Sequence, residues 1–343
     1  METSSYRPLP PPGALAKGPR NLITDVPGVR VGHCTLDTEQ YKTGVTVVLP
    51  CPVNPFYHKL PAGLCILNGF GKSMGLMQIQ EMGQLETPIA LTNTLNVGLV
   101  HDALVGYMID LCAAEGGTVH SVNPVVFECC DATLSRIQDR PVKAEHVRAA
   151  LESAGEDFAL GSVGAGRGTI CHGVKGGIGS ASRRLTLGET TYTLGVLVQT
   201  NHGLLADLRI DGAPVGAELA RRLDPGEPDK GSCIAVLATD LPLDGRQLGR
   251  VAKRVSVGLA RLGAYIAQGS GEVFLAFSTA NPYDPRSETP VRHGTLFSDD
   301  ALDLPFRAAA QCAEEAILRS MEASITTTGW RGDVVPALSD LLP

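Results

Sequence analysis

The step from Asp229-Lys230-Gly231 into Ser232-Cys233-Ile234-Ala235-Val236-Leu237-Ala238-Thr239 constrains this chain most, because it joins a charged loop to an unbroken apolar run. The run reads as a strand bounded by turn residues. The segment before it, residues 221–230, reads Arg-Arg-Leu-Asp-Pro-Gly-Glu-Pro-Asp-Lys and is the clearest exposed loop in the sequence. A cut at such a junction releases a loop end while the strand keeps its ladder bonds. If the Gly231–Ser232 bond breaks, Ser232 carries a hydroxyl and a new α-amine, whose reference pKa of about 7.7–8.0 supplies neutral base near neutral pH. One residue is then the nucleophile and part of its own activation. The local signal is weak by itself: Gly-Ser recurs at Gly161-Ser162, Gly179-Ser180 and Gly269-Ser270, and most such pairs are turns.

Composition sets the frame around that step. A chain of 343 residues with 43% hydrophobic residues can bury a sizeable core, and 39 glycines predict many tight turns and close backbone approaches. No continuous apolar run approaches the roughly 18 residues of a bilayer span, so a soluble globular protein with no membrane partner is expected. The formal charge of −7 argues against nucleic acid as a partner. Arg246 to Arg261 carries five cations and no acid, a pattern read as a solvated helix face. Met1 to Arg20 holds Pro8 and the run Pro10 to Pro12 without an apolar signal core, which reads as a flexible leader before one catalytic domain at 21–343. A cytoplasmic location is the default that follows. The nine cysteines form an odd number and read as free, mostly buried thiols. No metal site is expected, since Cys129-Cys130 and His33-Cys34 are adjacent pairs and neither His172 nor His202 has a second ligand at finger-like spacing.

Strand-like runs alternate with a few long helices. Val45 to Leu49, Tyr192 to Gln199 and Glu272 to Ser278 read as strands. Leu248, Val251, Val255, Leu259, Leu262 and Ile266 recur at helical spacing, predicting one helix ended by Gly269. Val100 to Ala114 and Phe306 to Ala323 predict two more, and a pair of helices is expected on one side of a sheet. The glycine-rich run Gly161 to Gly179 fails as a phosphate cradle: the third glycine of G-x-G-x-x-G falls on Thr169, and Lys175 precedes glycines rather than a hydroxyl residue. Gly71-Lys72-Ser73 fails too, with Ile66 where a Walker loop needs glycine. Turns, or a backbone lining for an active site, are the readings left for 161–179.

Downstream, Gln268-Gly269-Ser270-Gly271-Glu272 enters the apolar run Val273 to Phe277. If the strand begins by Ser270, period-two alternation puts Ser270 and Glu272 on one face, a hydroxyl and a carboxylate able to orient a nucleophile; a polar turn at a helix end is the plainer alternative. Asn201 follows the strand-like run Leu194 to Thr200 and precedes His202-Gly203, where it either offers an amide to an oxyanion or merely makes a turn.

The sequence resembles the DmpA-like family of L-aminopeptidase/D-amidase-esterases and β-peptidyl aminopeptidases. The resemblance runs through 21–33, 43–50, 88–94, 123–126, Cys171-His-Gly-Val-Lys-Gly-Gly-Ile-Gly179, 195–203, 231–240 and Thr328-Gly-Trp-Arg-Gly-Asp-Val-Val-Pro-Ala-Leu338, nearly the whole chain after the leader. It implies an α+β fold, a four-layer αββα sandwich like that of the ornithine acetyltransferases, and self-cleavage into fragments 1–231 and 232–343. It implies Ser232 as nucleophile, Ser270 and Glu272 in support, Asn201 at the oxyanion, no cofactor, and a homo-oligomer of αβ units, commonly a tetramer. An acidic residue between Glu128 and Asp131 is expected to hold the free amine of a small peptide or amino-acid amide.

The chain departs from its relatives at Glu128-Cys-Cys-Asp-Ala-Thr133, at Asn68-Gly-Phe-Gly-Lys72 and at Arg167. Lys72 and Arg167 bring positive charge toward the expected pocket, which makes acidic substrates plausible. The implied function is a self-processed serine aminopeptidase or amidase acting through an acyl-enzyme. The alternatives are an acyltransferase of the ornithine-acetyltransferase type, which uses threonine, and an inactive scaffold.

Overall fold

A computed structural model describes residues 14–223, 231–289 and 291–342. The chain lays down β1 (Arg30–Asp37), β2 (Lys42–Leu49), β3 (Leu60–Gly69), α1 (Leu76–Met82), β4 (Gln84–Leu85), β5 (Ile89–Asn93), α2 (Val97–Ala114), β6 (Val125–Cys129) and α3 (Ala144–Glu152). A short hairpin of β7 (Ile170–Cys171) and β8 (Val174–Lys175) precedes β9 (Ile178–Leu187), β10 (Thr190–Asn201), α4 (Val215–Arg222) and β11 (Ser232–Thr239). Then come α5 (Gly245–Ala252), α6 (Val255–Arg261), β12 (Gly271–Ser278), α7 (Asp303–Glu322) and the hairpin β13 (Thr327–Thr328) and β14 (Val334–Val335).

Two sheets carry the fold, one of four strands in the order β1-β2-β5-β6 and one of six in the order β4-β3-β12-β11-β10-β9. Their facing sides share one apolar core that includes Leu91, Phe127, Leu197, Ile234, Val236, Leu275 and Phe277. Side-chain alternation sends the intervening residues outward, so each sheet has a second apolar face to cover. On the six-stranded sheet, Ala235, Leu237, Phe274 and Ala276 pack against α5, α6 and α7. On the four-stranded sheet, Val45, Val47, Ala90 and Val126 pack against α2 and α3. The layers therefore run helix, sheet, sheet, helix, the αββα sandwich expected. Buried on both faces, β11 and β12 read as continuous apolar runs with no polar alternation.

The three strands expected from sequence fall within β2, β10 and β12. The helix predicted through Ile266 does not. It divides into α5 and α6, and Gly263, at φ +96°, follows directly after the second. Close packing accounts for the geometry: a Cβ at Gly258 would lie 2.6 Å from the backbone nitrogen of Glu314, so α6 must approach the α7 backbone on its own path. Four of the five cations of this stretch have partners among the described residues, with Arg254 lying 3.7 Å from the Phe306 ring centroid, Arg246 and Arg250 on Asp299 and Arg261 on Glu314.

Of the segment read as a leader, residues 14–20 are described, and they are tied to the fold. Leu15 N–H donates to Gln311 Oε1 (3.0 Å), Arg184 N–H donates to Ala16 O (2.7 Å) and Lys17 pairs with Glu315 (2.5 Å). Of the exposed loop expected at 221–230, Arg221 and Arg222 instead end α4, and residues 224–230 lie outside the described residues. Thr94–Ala114 is long and apolar enough, by length and composition, to cross a membrane, although no continuous apolar run in the sequence signalled it. It packs on the sheet through Val97, Val100 and Leu104.

Candidate active site

The pairing of the six-stranded sheet assembles the site. Ser232 opens β11 and stands opposite Asn201, the last residue of β10, in antiparallel register. On its other side it stands opposite Gly271, the first residue of β12, in parallel register. Gly271 in turn faces Gly69 of β3. Four strand ends thus meet at one edge, and Ser232 is buried there at 7% exposure.

Glycine is required on both sides of the nucleophile. A Cβ at Gly231 would lie 1.6 Å from the Asn201 carbonyl oxygen, so no larger residue fits before Ser232 without moving the β10 end. A Cβ at Gly271 would meet Gly71 N at 2.6 Å and Ser232 Oγ at 3.1 Å. The Gly271 N–H donates to Ser232 Oγ (3.2 Å), which fixes the hydroxyl against β12. From the inter-sheet side, the Cys129 thiol points to the carbonyls of Ser232 (3.6 Å) and Gln199 (3.7 Å), tying the end of β6 to the site. Burial pushes that thiol well above the usual range, so it stays protonated.

β12 starts at Gly271, so Ser270, expected on a strand face with Glu272, lies one residue before it; its hydroxyl nevertheless donates to Glu272 Oε1, and both side chains are buried. Alternation along β12 carries Val273 to the inter-sheet core and Phe274 to the helix side, so Glu272 departs on the helix side. The pair brackets Gly271, the residue opposite Ser232 in the parallel register. It is therefore suited to the amine that cleavage would create there.

Asn201 Oδ1 accepts from the Ile170 N–H (3.0 Å), which leaves Nδ2 as the end of the amide available to a ligand. The glycine-rich run 161–179 thus supplies a backbone lining. Its turn is a two-residue hairpin in which His172 (φ 49°) and Gly173 (φ 73°) are both left-handed, the conformation of a type I′ turn.

Among the acids between 128 and 131, Glu128 faces the site. It accepts from Lys72 N–H at Oε1 (2.7 Å) and from the Thr94 hydroxyl at Oε2. A Cβ at Gly71 would lie 3.6 Å from Glu128 Oε1 and 3.7 Å from Gly271 Cα, so Gly71 sits between this carboxylate and the residue paired with Ser232. Asp131 goes elsewhere: it is buried against Gly168, with Thr43 and Asn93 near its carboxyl, and desolvation pushes its pKa up to about 7. A carboxyl enclosed by the fold and still partly protonated near neutral pH is a poor partner for an incoming ammonium.

The two cations expected at the pocket are otherwise engaged. The Lys72 ammonium sits 3.5 Å from the Phe70 ring centroid and donates to the Phe70 carbonyl; only its backbone N–H reaches Glu128. Arg167 is buried, donating to Thr327 Oγ1 (2.7 Å) and pairing with Asp37 (3.0 Å). The case for acidic substrates loses its main support.

Sequence spacing missed three groups. Thr94, Gly71 and the Ile170 N–H hold functional side chains through contacts made far apart in the chain. It also gave no sign that Cys171, His172 and His202 would converge, their ligand atoms within 4.8 Å of one another. Cys171 Sγ and His202 Nδ1 lie 4.0 Å apart, beyond the ~3.4–3.8 Å edges of a tetrahedral zinc shell. Burial and the neighbouring His172 push the His202 pKa down to about 3, so this imidazole is neutral.

The comparisons decide the family. The model of Peptidase family S58 matches residues 21–335. The chain belongs to peptidase family S58. It is 39% identical to the β-peptidyl aminopeptidase BapA of Sphingosinicella xenopeptidilytica, over 93% of this chain and 83% of that one. A β-aminopeptidase from a Burkholderia species superposes with a TM-score of 0.87 at 42% identity, covering 95% of this chain and 93% of that one. The L-aminopeptidase D-Ala-esterase/amidase of Ochrobactrum anthropi, described as a variant of the Ntn hydrolase fold, superposes at 0.89 and 36% identity with the same coverage. This S58 member is thus a hydrolase of the aminopeptidase class on an Ntn-hydrolase-type sandwich, and the acyltransferase reading is not favoured.

Proposed function

We propose that this S58 peptidase cuts itself between Gly231 and Ser232 and then removes the N-terminal residue of small peptides or amino-acid amides that carry a free amine. The observation that carries the proposal is the row Glu128, Gly71, Gly271, Ser232, Asn201, which sets an amine-binding carboxylate, a hydroxyl and an amide donor along one edge. The new α-amine of Ser232 takes the hydroxyl proton as Oγ attacks the carbonyl that follows the substrate's first residue. Asn201 Nδ2 donates to the developing oxyanion, and the Ser270–Glu272 pair orients the α-amine. The C–N bond breaks, the proton passes to the leaving amine, and water then hydrolyses the ester on Ser232.

Matched p-nitroanilides with free and N-acetylated amines test this reading, with β-linked members included because relatives are named for β-peptides. Hydrolysis of the free series alone supports it. Equal hydrolysis of both series would instead support a general amidase.

The same reading extends to assembly and place. All nine cysteines are free thiols, which suits a reducing compartment such as the cytoplasm. Leu95 and Ile109 expose large apolar side chains on the helical segment of 94–114, a surface suited to packing αβ units into an oligomer, a tetramer by family resemblance. Sedimentation of the purified protein tests the assembly.

A further inference from the structure

Lys175 lies beside the site and takes no part in the chemistry above. It is fully buried, and its ammonium donates to the carbonyls of Gly166 (2.9 Å), Thr169 (2.9 Å) and Gly176 (2.6 Å). An ammonium has three donors and no acceptor, so these carbonyls saturate it, whereas a neutral amine would turn its lone pair against one of them. Desolvation and the neighbouring Arg167 push the pKa well down, whereas three carbonyls that can only accept favour the charged form. Burying a charge costs several kcal/mol before its partners offset it, and an apolar side chain would fill the space without that cost. The charge therefore has a purpose beyond packing.

The purpose lies in the Thr169–Ile170 peptide. Its carbonyl is one of the three that Lys175 holds, and it also accepts from Gly176 N–H (3.0 Å). Its N–H is the donor that fixes Asn201 Oδ1 (3.0 Å). A peptide unit is planar and rigid, so a grip on the oxygen sets the direction of the N–H at the opposite end. A cation on the carbonyl also polarises the unit and strengthens its N–H as a donor.

We propose that Lys175 is a positioning residue for the oxyanion site, holding the Thr169–Ile170 peptide plane so that the Asn201 amide keeps Nδ2 turned toward substrate. The proposal rests on the assignment of Asn201 above. It separates Lys175 from the reacting atoms and makes its influence travel through one amide.

A double-mutant cycle on the mature protein tests it. Lys175→Met keeps the length of the side chain and removes its donors. The folded variant is expected to lose roughly 100-fold in kcat, the loss typical of one oxyanion donor, with KM changed by less than about threefold. The Lys175→Met/Asn201→Ala protein is expected to be no slower than Asn201→Ala alone, because both changes disable one device. Should Lys175→Met not accumulate as folded protein, Lys175→Leu, which also carries no donor, enters the same cycle with the same expectations. Wild-type kcat in the folded Lys175 variant, or losses that multiply in the double variant, would overturn the proposal. Wild-type turnover in Asn201→Ala would instead overturn the assignment of Asn201.

Discussion

Asn201 and Ser232 stand directly opposite each other across β10 and β11, and the residue before Ser232 packs so closely that its missing side chain is part of the site. A methyl group on Gly231 would overlap the Asn201 carbonyl at 1.6 Å. Gly231→Ala is therefore expected to spread the strand ends, costing about 1–3 kcal/mol and slowing both self-cleavage and turnover. Denaturing gels of the fragments, together with thermal unfolding, check this. Full cleavage at unchanged stability would contradict the packing account.

Ser270 and Glu272 form one buried hydrogen-bonded pair around Gly271, the residue opposite Ser232. Ser270→Ala and Glu272→Gln are each expected to lower kcat of the mature protein by roughly two orders of magnitude, as groups that orient or activate a nucleophile do. Steady-state kinetics on fully cleaved variants check it. Near-wild-type turnover in both would make the pair structural.

Glu128 is the acid that faces the strand end, with Lys72 N–H and Thr94 as its fixed partners. Glu128→Gln is expected to raise KM for free-amine substrates by roughly 10-fold or more and to leave any residual cleavage of acetylated ones unchanged, since only the charged pairing is lost. Kinetics on the two p-nitroanilide series distinguish the outcomes. Asp131→Asn is expected to change KM little.

Asp131 makes a separate prediction about stability. Its folded pKa, raised by burial to about 7 from 3.8, means that the folded chain binds this proton more tightly than the unfolded chain. The stabilisation is full below the unfolded value and is lost as pH rises through about 7. Asp131→Asn removes that loss, so the variant should gain on wild type with rising pH, by up to about 4 kcal/mol once the wild-type carboxyl is ionised. Thermal unfolding of both proteins from mildly acidic to mildly alkaline buffer checks this. A gap that does not widen with pH would contradict the assignment.

The sequence made the strands and the nucleophile candidate legible because both are local patterns. Cys233 to Ala238 is apolar throughout, and Ser270, the residue just before β12, sits two residues from Glu272 within it. The αββα layering came from resemblance; periodicity alone predicted a sheet with helices on one side. What stayed hidden depends on distant contacts. Arg167 looked like a pocket cation until Asp37 and Thr327 were seen to hold it, and Asp131 looked equivalent to Glu128 until the chain buried it against Gly168. The single helix through Ile266 failed because apolar spacing does not register how closely Gly258 must approach α7. Lys175 fails the P-loop pattern and carries no other role in the sequence, since a cage of backbone carbonyls leaves no pattern in side chains.

N-terminal sequencing of the smaller fragment of the purified, active protein tests the central claim most directly. The account predicts a fragment that begins Ser232-Cys233-Ile234, and a Ser232→Ala protein that remains one folded, inactive chain. Wild-type protein that is fully active while the Gly231–Ser232 bond is intact would contradict it.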